Sequence, residues 1–476
     1  MAIHVELNAS VNDALRIWQA RLESWAAFGS VPGVSVGIVH DQRVIYTRSI
    51  GFSDRERQQP ATMKTIYRVG SISKLFTTTA IMMLRDKGFV SLHEPVKTYL
   101  PWFDIRHRGK NARHITIEHL LTHTSGLPRE APFAYWNDNR FPSREEMIRA
   151  LKTQETAYVP GTQWKYSNLG LAIAGEVVAA VSGMPYETFI ERRIFKPLGM
   201  SDSSVFPNSR QRAQMATGYG RRWAEGAREI MPFTDSGGIT PAANISSTVG
   251  DLARFVSLQF HEGKAGKDHI LSMETLQEMR HVHWLLDDWK SAWGLGFGIS
   301  RLGDRVIVGH GGSVMGHRAE LRFCPRCRVG VIILTNADLC NPSPLARLVF
   351  EHIAPVIEKA CRPAKSEKTE ISDPERYLGR FSNTWGDTEV ILNEGGLALI
   401  DPGEDDPWGN IIRLAPKGKN SFVLDRGEGH ESIGETVLFD FCPDGRPRRI
   451  RVGNTWHYAV NSWHDRPKMP DLHNPS

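Results

Sequence analysis

The sequence predicts an α/β (α+β) protein that ends in a small antiparallel β domain. Three features point there. Strand-period and helix-period segments occupy both ends of residues 1–360, a helix- and loop-rich stretch lies between them, and short strands follow a charged linker. At 476 residues the chain is longer than one core ordinarily serves, so more than one domain is expected. Its 41% hydrophobic and 23% charged residues are globular proportions and argue against wholesale disorder.

After Ser10, a candidate N-cap, the residues Val11, Leu15, Trp18, Leu22 and Trp25 recur three or four apart, as on an amphipathic helix that Pro32-Gly33 ends. Residues 34–39 and 44–47 are β-rich around a polar His40-Asp41-Gln42 turn, which reads as a hairpin. A second helix is expected from Ser71 to Gly88; it is apolar on most sides and therefore buried. Residues 90–245 read as helices and loops rich in Pro and Gly. Strand character returns at 294–299, 305–308, 319–323 and 329–334, and a helix over 345–360 follows. Residues 361–372 are polar and charged. Beyond them, short strands at 389–392, 397–400, 422–424, 437–441, 449–452 and 456–460 have the spacing of a small barrel or sandwich. The expected boundaries are 1–362 for the first domain, with its helical part at about 75–245, 363–374 for the linker and 375–476 for the β domain.

The net charge of +5 is a weak bias over this length. Its densest cluster, Arg446, Arg448, Arg449 and Arg451, alternates like the solvent side of a strand, so no nucleic-acid partner is expected. Cys324, Cys327, Cys340, Cys361 and Cys442 are an odd, sparse set and not a disulfide framework; a reduced compartment fits them better. The first residues lack a basic head followed by an apolar run, and no apolar stretch approaches the ~20 residues that span a bilayer. The expectation is a soluble, cytoplasmic protein with no membrane partner. The sequence leaves the oligomeric state open.

Three stretches carry chemistry. In Tyr67-Arg-Val-Gly-Ser71-Ile-Ser-Lys74 the serine and lysine are three apart, so on a helix they share a face, and Ser71 sits where free backbone N–H groups and the positive end of the dipole lie. A serine hydroxyl becomes a useful nucleophile only when a neighbour takes its proton. For any lysine to do so near pH 7, its pKa must fall from ~10.4, which takes roughly 4–5 kcal/mol of differential interaction. Ser73 is a rival hydroxyl, but it lies about 200° around the helix from Ser71. The bland reading is a capped helix start with a solvated lysine. The second stretch is Pro160-Gly-Thr-Gln-Trp-Lys-Tyr166-Ser-Asn168. Two-residue spacing puts Tyr166 and Asn168 on one side of an extended segment, the phenol able to relay protons and the amide able to position a substrate amide or the lysine. A loop tyrosine with a satisfied hydroxyl is the plain alternative. The third is Gly309-His310-Gly311-Gly312-Ser313, where glycines let a substrate approach a strand edge and His310 can accept a hydrogen bond or titrate. It lacks the ending of a phosphate-binding loop.

Together these stretches resemble the serine β-lactamase and penicillin-binding-protein superfamily, in its class C-like branch with esterases, D-aminopeptidases and DD-peptidases. Pro32-Gly-Val-Ser-Val-Gly-Ile-Val39, Ile115-Thr-Ile-Glu-His-Leu-Leu-Thr-His-Thr-Ser-Gly-Leu127, Pro241-Ala-Ala-Asn-Ile-Ser-Ser-Thr248 and Asp251-Leu-Ala-Arg-Phe255 are similar to further stretches of that branch, in the same order. The resemblance covers about residues 10–360. It implies an antiparallel sheet built from both ends of that range, with a helical subdomain beside it. It also implies a nucleophile at Ser71, a general base at Lys74 and a relay base and leaving-group acid at Tyr166, with Asn168 alongside. His310, Gly311 and Gly312 stand at the family's Lys-Thr/Ser-Gly position, and the oxyanion hole would use the N–H groups of Ser71 and Ser313. A lysine at 310 would dock a substrate carboxylate. Histidine is mostly neutral at pH 7, which favours ester or small amide substrates, short peptides included, as in the esterase and D-aminopeptidase members. An acyltransferase, a β-lactamase or DD-peptidase, and a non-catalytic penicillin-binding scaffold are the alternatives. The C-terminal strands are similar in size and place to lipocalin-like domains.

No metal and no cofactor is expected. His119 and His123 have zinc spacing, but Leu120 stands where a metalloprotease needs glutamate. Cys324-Pro-Arg-Cys327 lacks a second pair and reads as a hairpin turn. Trp284, Trp289 and Trp293 read as core or pocket wall.

Overall fold

The computed structural model describes residues 9–109, 113–223, 228–262, 270–361, 371–426 and 433–460. The chain divides into two compact units, Met1–Cys361 and Arg362–Ser476. Most of the expected 363–374 linker lies outside the described residues.

In the first unit, α1 (Ala9–Phe28) buries Val11, Leu15, Trp18, Leu22 and Ala26. The expected hairpin follows as β1 (Gly33–His40) and β2 (Arg43–Asp54), with β3 (Gln59–Pro60) at its outer edge. After the helical part the chain returns through β4 (Trp284–Leu285), β5 (Ser291–Trp293), β6 (Gly298–Leu302), β7 (Arg305–Val314), β8 (His317–Cys324) and β9 (Val329–Thr335). These strands form one nine-stranded sheet in the order β3-β2-β1-β9-β8-β7-β6-β5-β4. β1 pairs antiparallel with β9, from Val34 opposite Thr335 to His40 opposite Val329, so the two ends of the unit are joined at the centre of the sheet.

Side chains alternate across a strand, and both faces of this sheet are covered. On one face Val34, Val36, Ile38, Val329, Val331 and Ile333 pack with α1 and with the helical segment that starts at Ser343. On the other, Val308, Leu321, Phe323, Ile332 and Leu334 meet the helical part. Double coverage is why β1 and β9 read as unbroken apolar runs. The helical part is centred on α2 (Ser73–Asp86), whose residues from Ser73 to Leu84 are all buried. Two of its buried hydroxyls donate to carbonyls, Thr79 to Leu75 at 2.8 Å and Thr77 to Pro241 at 2.6 Å. Against it packs α3 (Asn168–Ser182), closed by Gly183 at φ +67°.

Several expectations need correction. Residues 294–299 are not one strand: β5 ends at Trp293, Gly294 to Phe297 make the turn with Gly296 at φ +77°, and β6 begins at Gly298. The stretch read as helices and loops also holds a two-stranded hairpin, Gly218–Arg222 with Arg228–Met231. The segment read as a helix over 345–360 runs as α-helix Ser343–Leu348, a wider π-turn Val349–Ile353 and α-helix Ala354–Cys361. Among the described residues no single helix is long and apolar enough to cross a membrane.

The second unit is a closed antiparallel barrel of eight strands, β10 (Gly379–Ser382), β11 (Asp387–Asn393), β12 (Gly396–Ile400), β13 (Ile412–Gly418), β14 (Ser421–Arg426), β15 (Thr436–Phe441), β16 (Pro447–Val452) and β17 (Thr455–Ala459), with β17 pairing back to β10. The sequence signals indicate six strands. β10 and β13 are missed because Arg380, Arg413 and Lys417 break their apolar pattern. Phe381, Phe422 and Phe439 fill the interior with edge-on ring contacts.

One contact in the first unit fixes the place of the candidate nucleophile. The turn Val69–Ser71 lies directly on β7. A Cβ on Gly312 would overlap the Val69 carbonyl oxygen, and one on Gly70, at φ +51°, would sit 2.7 Å from the Ser313 nitrogen. Gly312 of this strand therefore admits the protein's own turn, where the sequence suggested the approach of a substrate. Gly312→Ala is expected to destabilise the protein by about 2–3 kcal/mol, read as a lower urea midpoint. Gly386→Ala, where no atom lies within 4 Å of the added carbon, is the control and should leave the midpoint within about 0.5 kcal/mol of wild type. Equal midpoints for the two variants would refute this packing.

Candidate active site

Ser71 lies in the short 3₁₀ turn Gly70–Ile72 that leads into α2, and it lines a cleft of about 1350 Å³. One turn on, Lys74 is fully buried, with its Nζ 2.9 Å from Ser71 Oγ. The ammonium donates to the Ala242 carbonyl at 2.9 Å and stands 4.9 Å from the centre of the Tyr166 ring. Burial pushes the lysine pKa well below its ordinary value; Glu130 opposes this and Arg129 adds to it. The rival hydroxyl, Ser73, is also buried, and its Oγ accepts from the Ile245 N–H at 3.0 Å, a structural role.

Tyr166 enters from the loop before α3. Its ring stacks on His123 at 4.3 Å between centroids and meets Trp293 and His310 at 6.2 and 6.0 Å. Burial raises the phenol pKa, and a hydrogen bond with Ser71 works against that rise. His310 is buried on β7, with Nε2 3.5 Å from the Tyr166 hydroxyl. Its Nδ1 contacts the Gly311 carbonyl, which can only accept, so Nδ1 carries the hydrogen and the Nε2 lone pair faces the phenol. Burial first, and Lys74 second, push the imidazole down to about 3, so it is neutral at pH 7.

Asn168 is not on an extended segment with Tyr166. It is the first residue of α3, whose N-cap is Ser167, and the Arg129 carbonyl accepts its backbone N–H at 2.9 Å. It still lines the cleft, but its Nδ2 is taken by Glu130 Oε1 at 2.5 Å. Gly311, Gly312 and exposed Ser313 line the cleft as well, Ser313 beside the Gly70 turn.

The remaining signals resolve locally. His119 forms a capping box with Thr116. His123 accepts the Ser167 N–H at 3.2 Å and supports Tyr166. Cys324 and Cys327 flank the β8–β9 turn as free thiols. Trp293 backs Tyr166, and Trp284 is half-buried, but Trp289 is 80% exposed and is neither core nor pocket wall. Among the described residues no group of three His, Cys, Asp or Glu side chains is placed to hold a metal. Sequence reasoning missed Glu130, although it lies three residues beyond the Thr-Ser-Gly-Leu stretch. It also missed the Ala242 carbonyl, for which a sequence offers no signal.

Comparison with known proteins agrees with this architecture. The profile of the family described as Beta-lactamase matches residues 20–352. The chain is 25% identical to Beta-lactamase-like protein 2 of Dictyostelium discoideum, over 79% of this chain and 72% of that one. It is 24% identical to Protein flp of Staphylococcus aureus, over 65% of this chain and only 60% of that relative's length. The structure of the octameric penicillin-binding protein homologue from Pyrococcus abyssi superposes with a TM-score of 0.63 at 26% identity, covering 93% of this chain and 99% of that one. The chain belongs to the β-lactamase family and is, with it, an enzyme of the serine-hydrolase type.

Proposed function

We propose that the protein hydrolyses ester or small amide bonds through an acyl-enzyme on Ser71. The observation that carries this reading is the 2.9 Å approach of a fully buried lysine amine to a hydroxyl that lines a cleft. Of the two groups beside that hydroxyl, burial drives the amine toward its neutral form and the phenol toward its protonated form. Lys74 is therefore the base and Tyr166 the proton carrier. A neutral amine keeps one N–H on the Ala242 carbonyl and turns its lone pair to Ser71.

In acylation the Ser71 Oγ–carbon bond forms and the bond to the leaving group breaks. The hydroxyl proton passes to Lys74 and, through Tyr166, to the departing oxygen or nitrogen. Water then attacks the acyl carbon, gives its proton to the same relay, and Ser71 recovers its hydrogen as the acid departs. The His310 lone pair orients the phenol hydroxyl. The N–H groups of Ser71 and of Ser313, the latter next to the Gly70 turn, receive the developing oxyanion, a kind of contact worth ~2.7–4 kcal/mol per donor. Neutral His310 offers no fixed cation for a substrate carboxylate, which supports esters and simple amides over penicillins.

Ser71→Ala should abolish p-nitrophenyl ester turnover and fluorophosphonate labelling with little change in melting temperature, because the Ser71 side chain caps no helix. A large loss of stability would mark it as structural instead. Lys74→Met should lower turnover at least ~10²-fold without lowering the melting temperature, because it removes a buried amine. A strongly destabilised Lys74→Met protein would contradict the neutral-amine account.

The pH dependence has a definite sign. The folded pKa of Lys74 is depressed, so its base form is present above that value and is lost as pH falls through it. For p-nitrophenyl acetate kcat/KM should show an acid limb that survives in His310→Gln, since His310 charges only near pH 3. A profile flat down to pH 4, or a limb that vanishes with His310, would assign the base elsewhere.

A further inference from the structure

The polar atoms around Asn168 are unevenly satisfied. Glu130 Oε1 accepts from Asn168 Nδ2 at 2.5 Å and from Trp136 Nε1 at 3.2 Å. Its other oxygen, Oε2, and the Asn168 oxygen, Oδ1, are both buried, and among the described residues neither has a partner. The amide orientation is dictated by the carboxylate, because reversing it would set oxygen against oxygen. Asn168 is 3% exposed and lines the cleft that Ser71 lines, together with Trp136 and Arg129. The site thus carries two unused acceptors, one on the cleft-lining Asn168 and one on the Glu130 carboxyl behind it, whose pKa burial raises against the opposing Asn168 and Trp136 hydrogen bonds. Unsatisfied buried acceptors carry a cost that a donor from a ligand removes.

We infer that Asn168 and Glu130 form a subsite for a primary ammonium group on the acyl part of the substrate, so that the preferred substrates are aminoacyl esters or amides with a free amine. This rests on the acyl-enzyme reading and deepens it. The ammonium donates to Asn168 Oδ1, with the Glu130 carboxylate behind it as counter-charge. Two cations face the same region. Lys74 is held toward its neutral form by burial and so does not repel a bound ammonium. Arg129 lies 3.9 Å from Glu130, but on Oε1, the oxygen already occupied twice, and its side chain is 63% exposed. It leaves Oε2 unpaired. An acyl-blocked amine is a poorer occupant, since it brings no charge and adds a bulky carbonyl.

The test compares alanine p-nitroanilide, N-acetylalanine p-nitroanilide and propionic p-nitroanilide, with the alanine compounds in both enantiomers. The free amine of the preferred enantiomer should exceed the other two at least about tenfold in kcat/KM. Glu130→Gln should reduce that ratio to within about threefold. In parallel, alaninamide should slow fluorophosphonate labelling of the wild-type protein at a lower concentration than N-acetylalaninamide, a readout that requires neither turnover nor a folded variant. Equal kcat/KM values for free and blocked amines, equal protection by the two amides, or an unchanged ratio in a Glu130→Gln protein that still labels would each overturn the subsite. Failure of the underlying reading shows differently, as p-nitrophenyl acetate turnover that survives in Ser71→Ala.

Discussion

The constraint on which the site depends is the burial of one amine. Lys74 lies inside the helical part, under the Tyr166 ring, and its hydrogen-bond partners are a carbonyl and the Ser71 hydroxyl. Among the described residues no carboxylate is hydrogen-bonded or ion-paired to it. A charge left that way in a protein interior is expensive, and the inexpensive state is the neutral one. The packing that excludes water from α2 therefore sets the protonation of its lysine. The same packing explains why α2 shows little amphipathic contrast: a helix buried from Ser73 to Leu84 has no solvent face to mark.

Bringing a hydroxyl to that amine requires two structural layers to meet without a gap. The Ser71 turn belongs to the helical part and β7 to the sheet, and the two touch at backbone distance through Gly70 and Gly312. On its far side the turn is tied in by the short pairing of Tyr67 with Ser247 and by the Ile245 N–H that Ser73 accepts. Ala242, whose carbonyl holds Lys74, lies just before that pairing. One segment thus supports both the strand ahead of Ser71 and the amine behind it.

This division of labour decides what the sequence reveals. The contact of Ser71 with Lys74 is legible because three-residue spacing at a helix start puts the two on one face, and the accompanying stretches in their family order single the pair out. The hairpin of β1 and β2, α1 and the β-rich C-terminal unit are legible from periodicity. Asn168 is misplaced on an extended segment because its helix begins at Asn168 itself, with a serine cap that local patterning does not separate from the loop. The 294–299 run looks like a strand because it is apolar, but it is apolar as a buried turn beside Thr78. The aromatic support of Tyr166 joins residues 123, 164, 293 and 310, and no local pattern anticipates contacts so far apart in the chain.

The charges of the site follow one direction. A histidine at 310 whose Nδ1 is bonded to a backbone carbonyl gives up the cation that a lysine would supply on that strand. Across the cleft, Glu130 places a carboxylate behind Asn168 and turns the amide so that its oxygen is the unused atom. Each feature alone reads as a minor polar exchange. Together they remove a cation from the strand side and set a carboxyl beside Arg129 on the helical side, with the buried Lys74 amine and the Ser71 hydroxyl between them. Of the other cleft residues, Arg318 has Asp338 at 3.9 Å and Arg221 stacks on Trp223 at 3.4 Å, so neither is poised as a lone anion receptor beside Ser71. Under the proposed reading, this polarity disfavours substrates anchored by a carboxylate and favours those anchored by a cation, with no change to the chemistry at Ser71.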